Sequence, residues 1–160
     1  MNDTTMHRVA ATRAAFDATL SDWQSLNSNV GVFALFPEAE AAAVPELQAA
    51  CRARGIVLAG GIFPALVEGR GFSKQGAWLM RLDADTPTFL ISEANTAAAS
   101  AAAKIAAAIM PTLDAQETSG RDEPTLFLLC DAMLPNIGSM LDELFLTLAD
   151  RVEYAGVNAG

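Results

Sequence analysis

Cys130-Asp131 places a thiol beside a carboxylate, directly after the apolar run Leu126-Phe127-Leu128-Leu129. A thiol attacks as its thiolate, and forming thiolate near neutral pH takes a neighbouring base or positive charge. The chain has one histidine, His7, distant in sequence. A small cysteine-dependent hydrolase or transferase built on Cys130 and Asp131 therefore needs a contact that nothing in the sequence supports. The residues favour a buried structural thiol, an Asp131 that caps its loop or faces a ligand, and a chain that is not an enzyme. Cys51 reads the same way, as a reduced thiol of a cytosolic protein. One histidine and two distant cysteines give no zinc spacing, and no acidic cluster follows a calcium-loop pattern, so no metal is expected.

The second chemical signal is glycine. Gly60-Gly61 and Gly156 through Gly160 fall at the ends of apolar runs, where a backbone without side chains can approach a small anionic or zwitterionic ligand. Ligands of open α/β sheets gather at the carboxyl ends of strands. The same glycines would equally serve turns or close strand packing. Neither GxGxxG nor GxxxxGK[ST] is present, so a nucleotide phosphate lacks its usual cradle. Phe63, Phe72 and Trp78 either wall an apolar pocket or pack in the core. Ser73, Asn136 and Asn158 are neutral polar groups suited to orienting a ligand, or to caps and turns. The candidate ligand-binding set is Gly60, Gly61, Ile62, Phe63, Ser73, Asp131, Asn136, Gly156 and Asn158, with no catalytic and no metal residue.

These residues must be held by a real core. The chain has 160 residues, 52% hydrophobic and 18% charged, enough for one globular domain. A helix is expected over 4–26, with Val9, Phe16, Leu20 and Trp23 on one stripe and His7 in its first turn. Val30–Phe36, a continuous apolar run halted by Pro37, reads as a strand. A helix over 46–54 follows Pro45 and closes on Gly55, with Arg52 and Arg54 in its last turn. Ile56–Ala59 reads as the next strand. Ala77–Leu82 and Thr88–Ile91 read as a hairpin-like pair, and an alanine-rich helix over 95–110 is expected to stop at Pro111. A polar stretch, 114–123, bridges to Leu126–Leu129, read as a strand buried on both faces. The helix Ile137–Leu148 follows, capped by Asn136 or Ser139, then a return strand through Tyr154 and Gly156.

The net charge is −9, with ten Lys and Arg scattered singly. No basic stripe exists to neutralise phosphates, so nucleic acid and anionic membranes are not expected partners. The stretch 94–110 is too short and too rich in alanine to span a bilayer, and no signal-peptide pattern opens the chain. A soluble, cytoplasmic protein is expected.

Val32–Phe36 matches Leu126–Cys130, the two following helices match, and Ala59-Gly60 matches Ala155-Gly156. The pattern is a duplicated half-domain. The expected fold is α/β: a mixed sheet with helices packed on it, built from two strand-helix-strand repeats plus a hairpin. The pieces Val32–Phe36, Ile56-Val57-Leu58-Ala59-Gly60-Gly61 with its following hairpin, Leu126–Cys130 and Tyr154–Gly160 resemble the N-terminal part of the FIST (F-box and intracellular signal transduction) sensory domain. On that resemblance the chain divides into an N-terminal helix, 1–29, and a FIST-like domain, 30–160. The resemblance implies a non-catalytic sensory domain of signal transduction that binds an amino acid or related small metabolite. It implies a downstream signalling protein or C-terminal domain as partner. It also carries an alternative, a haem-binding nitric oxide sensor, for which His7, Cys51, Cys130 and Tyr154 are the axial candidates. The second copy stops at Gly160 without the hairpin that follows the first, so a fragment or truncated relative is expected, with an uncovered edge that invites a homodimer.

Overall fold

The computed structural model describes residues 6–92, 97–118 and 124–159. It is mixed α/β and divides into two compact units, one within Met1–Thr86 and one within Pro87–Asn158. Among the described residues no helix is long and apolar enough to cross a membrane.

The first unit runs β1 (Met6–Val9), α1 (Arg13–Leu26), β2 (Gly31–Pro37), a 3-10 turn (Glu38–Ala43), α2 (Val44–Arg54), β3 (Val57–Phe63), the short strands β4 (Leu66–Glu68) and β5 (Gly71–Ser73), and β6 (Ala77–Leu82). Its main sheet has the order β1-β6-β2-β3. β2 and β3 are parallel, joined through α2, while β6 is antiparallel to both β1 and β2. The sheet is therefore mixed, and β4–β5 forms a separate hairpin.

Local chemistry explains where the helices begin and end. Thr12 caps α1, its hydroxyl accepting from the Ala15 N–H at 3.4 Å. Pro45 stands in the first turn of α2, where its missing N–H costs nothing. Gly55 ends that helix at φ 66°, with Arg52 and Arg54 in its last turn. Phe16, Leu20 and Trp23 recur at helical spacing on α1 and are fully buried. They share a core with Leu47, Ala50 and Cys51 of α2, Val32, Ala34 and Phe36 of β2, and Ala77 and Leu79 of β6. The strand residues alternate, so both helices cover one face of the sheet. Asp17 ties the helices together: Arg13 and Arg54 each approach its carboxylate to 2.7 Å and hold its pKa below the usual carboxylate value.

Two expectations fail here. The first helix starts at Arg13, and Met6–Val9 is a strand, so His7 lies opposite Leu79, its ring edge-on to Trp23 with the ring centroids 5.6 Å apart. Four residues are too few to display a period, and what makes them a strand is pairing with β6. α1 buries its stripe in the same core as β2. The expected strand over 88–91 is not formed either. β6 finds its antiparallel partners in β1 and β2.

The second unit runs α3 (Ala98–Thr118), β7 (Thr125–Asp131), α4 (Ile137–Leu148), a 3-10 turn (Ala149–Arg151) and β8 (Glu153–Ala159), with β7 and β8 paired. The Glu153 N–H donates to the Pro124 carbonyl at 3.0 Å, and Gly156 lies over the Leu128 carbonyl. Residue numbers advance together along the two strands, so they run parallel, as a strand-helix-strand connection requires. Its core joins Ile105, Ile109 and Leu113 of α3 to Met140, Leu144 and Leu148 of α4. Leu126, Leu128 and Cys130 of β7 pack against that core, whereas Phe127 is half exposed. The strand is not buried on both faces.

Pro111 does not stop α3; it lies within the helix, on its exposed side. Burial of Ile105, Ile109 and Leu113 along one stripe outweighs the lost hydrogen bond. The expected polar bridge, 114–123, is thus helical through Thr118, and Asp114 and Glu117 both pair with Arg151, at 2.7 and 2.6 Å. The remainder of that bridge, 119–123, lies outside the described residues, as do 93–96 and Gly160.

Candidate functional site

Gly60, Gly61, Ile62, Phe63 and Ser73 belong to the first unit, and Asp131, Asn136, Gly156 and Asn158 to the second. Within the first unit, Gly60 and Gly61 stand in the middle of β3 rather than at its end. Gly60 has φ 149°, and a Cβ built there would collide with the Ala34 carbonyl of β2. The glycine lets two parallel strands close on each other. Ile62 is exposed and Phe63 is buried.

Ser73 is engaged at the base of the β4–β5 hairpin. The Arg8 guanidinium donates to Glu68 Oε1 at 2.8 Å, to Ser73 Oγ at 3.0 Å and to the Gln75 carbonyl at 3.3 Å. Gly76 donates its N–H to Glu40 Oε1 at 3.1 Å, and its φ of 72° suits only glycine comfortably. These bonds fasten the hairpin to β1 and to the 3-10 turn. Val67 and Phe72 face each other across the hairpin, and Phe72 is 82% exposed. Its ring therefore does not join Phe63 in an apolar wall.

In the second unit, Gly156 repeats the role of Gly60: a Cβ there would strike the Leu128 carbonyl of β7. Ala34 and Leu128 are equivalent positions in the matched runs Val32–Phe36 and Leu126–Cys130, just as Gly60 and Gly156 are equivalent. Each copy thus seats a glycine of its second strand on the same carbonyl of its first. Periodicity and composition exposed the repeat in the sequence, but not this reason for its glycines.

The carboxyl end of β7 gathers the remaining candidates. Asp131 is exposed, and its Oδ1 accepts from the Met133 N–H at 2.8 Å, while its carbonyl accepts from Leu134 at 3.0 Å. Asn136 precedes α4 in the left-handed conformation, φ 59°, and its side chain makes no capping bond; nor does Ser139 stand in the capping position. The expected side-chain cap is absent because a left-handed residue turns its side chain away from the first turn. Gly138, in that first turn, has open space around its Cβ position. Sequence reading missed this uncapped first turn, whose N–H groups can receive an anionic group. Asn158 is exposed on β8.

The thiols differ. Cys51 is enclosed by the first core and burial pushes its pKa up to about 11, while Cys130 is half buried and also raised. Both shifts disfavour thiolate. Cys51 is sealed away from any haem-sized group. Tyr154 donates its hydroxyl to the Ala149 carbonyl at 3.3 Å, with its ring against Phe145 at 5.6 Å. Among the described residues no group of three His, Cys, Asp or Glu is arranged to hold a metal ion. No family model matches the chain, and neither a curated protein nor a solved structure does.

Proposed function

We propose that the chain is a sensory module of signal transduction that binds an amino acid or related small metabolite without transforming it, and passes the change to a downstream partner. The duplication carries this reading. The residues that resemble the FIST domain are those that build the parallel strand pair of each unit, with Gly60 on Ala34 and Gly156 on Leu128. In the second unit the ligand's seat is the carboxyl end of β7, where strand-helix-strand units receive ligands. Asp131 would take an ammonium group, and the first turn of α4 after Asn136 would take a carboxylate. The ligand acts by its differential affinity for two states of the protein. Raised thiol pKa values weigh against a cysteine nucleophile.

The test is native mass spectrometry of gently purified protein with an absorbance scan alongside, followed by calorimetry against the twenty amino acids. A retained or titratable small molecule is expected, and its binding should fall at least tenfold in D131N and in G138P, since a first-turn proline removes a donor while keeping the helix. Absence of binding by every amino acid and no copurified molecule would reject the reading. A Soret band would redirect it to haem.

A further inference from the structure

The β4–β5 hairpin turns one face to the protein and the other to water. Residues opposite each other on an antiparallel pair share a face, and neighbours along a strand alternate. Leu66 with Ser73 and Glu68 with Gly71 therefore lie on one face, and Val67 with Phe72 on the other. The first face is held. Leu66 is buried, and the Arg8 guanidinium donates to Glu68, to Ser73 and to the Gln75 carbonyl just beyond. Gly76 closes the base, bonded to Glu40 and seated on the Val9 carbonyl, where a Cβ would collide. A loosely tethered hairpin would fold its apolar side chains inward; this one is fixed with Val67 68% and Phe72 82% exposed. Charge is arranged on the same element. Arg8 and Glu68 neutralise each other. Arg70 in the turn and Lys74 after β5 are exposed, each two residues from Phe72, and neither forms an ion pair among the described residues.

We propose that this face docks a segment of a partner protein in which an apolar side chain stands between carboxylates. The apolar side chain covers Val67 and Phe72, and the carboxylates meet Arg70 and Lys74. Aromatic side chains and arginine are the usual anchors of protein interfaces, and an anchor held rigid beforehand loses little freedom when it is covered. The charges decide against the other occupants. Anionic membranes are held by clusters of about four to eight basic residues, and a chain of net charge −9 is repelled by any broad anionic surface, nucleic acid included. A short acidic segment instead meets the hairpin's own two cations, because charges more than about 8 Å away are largely screened at physiological ionic strength. A second copy seated hairpin on hairpin would bring Arg70 and Lys74 against their own equivalents. Docking here requires no ligand at β7, so the two readings stand or fall separately.

Selection of a displayed random-peptide library on the immobilised full chain tests the docking. The enriched peptides are expected to carry Asp or Glu on either side of an aliphatic or aromatic residue. One of them, synthesised with a fluorescent label, should bind the wild type with an affinity that falls as salt rises. F72S, and separately R70E/K74E, should weaken it roughly tenfold or more, the loss expected of an interface anchor. Phe72 is exposed and the two cations are unpaired, so both variants should keep the wild-type urea midpoint, which separates lost docking from lost folding. No enrichment, enriched peptides without carboxylates, or binding untouched by either variant would overturn the proposal. So would F72S-sensitive binding to phosphatidylserine vesicles, which reassigns the face to a membrane, or a wild-type dimer that F72S dissolves, which reassigns it to a second copy.

Discussion

A methyl group added at Gly60 would be driven into the Ala34 carbonyl, and one added at Gly156 into the Leu128 carbonyl. At Gly60 the φ of 149° adds backbone strain for any L side chain. Both atoms struck are main chain, so neither can swing aside. G60A should therefore lose about 2–4 kcal/mol of stability, combining strain with steric overlap. G156A should lose about 1–3 kcal/mol from overlap alone. G138A is the contrast: its methyl enters open space in a helix, and should gain up to about 1 kcal/mol. Urea midpoints of the three variants check the order. Equal stability of G60A and wild type would refute the close strand packing on which the repeat rests. The same geometry means that loss of ligand binding in a glycine variant at 60 or 156 would report a damaged sheet rather than a lost contact.

At the scale of the element, α3 tests how far a stripe of buried residues overrides a helix breaker. Pro111 interrupts the hydrogen-bond ladder but points away from the core formed by Ile105, Ile109 and Leu113. P111A restores a donor to the Ala107 carbonyl and disturbs no packing. The gain is opposed by the greater freedom of the unfolded chain, and should come to about 1–3 kcal/mol. A higher urea midpoint at constant slope is the expected result, and an unchanged midpoint would mean that the helix bends at Pro111 to satisfy its carbonyls in another way. Proline misled the sequence reading because its rule is local and the burial of Leu113 is not. Elsewhere local signals sufficed: Pro45 and Gly55 placed α2 nearly where it stands, and the Phe16-Leu20-Trp23 stripe placed the body and end of α1, though not its start at Arg13. β1 was invisible for the opposite reason. Met6–Val9 has no period to read, and it is a strand only because β6 lies beside it. The candidate site was legible as residues but not as geometry, since asparagine both caps helices and enters the left-handed region readily, and nothing local decides which it does at 136.

Across the whole molecule, the two units have cores of different quality. The first joins Phe16, Leu20, Trp23, Phe36 and Leu47 with smaller residues. Both also bury alanines, Ala34, Ala43, Ala50 and Ala77 in the first and Ala101, Ala102 and Ala106 in the second, but among the described residues the second core buries no aromatic side chain. Aromatic side chains remove the most apolar surface from water, and burial stabilises roughly in proportion to area, about 25 cal/mol per Å². The second unit should therefore unfold first. The aromatic residues provide separate probes, because Trp23 and Trp78 both lie in the first unit and Tyr154, the chain's one tyrosine, lies in the second. In a urea titration, Tyr154 absorbance should change at lower denaturant than tryptophan fluorescence, giving two midpoints where a single cooperative domain gives one. A mutation confined to the second core, Leu144→Ala, should widen the gap by about 2–5 kcal/mol on the tyrosine transition and leave the tryptophan transition in place. Coincident transitions that shift together in L144A would show instead that the duplicated halves fold as one unit, and that a ligand seated at β7 would be felt by both cores at once.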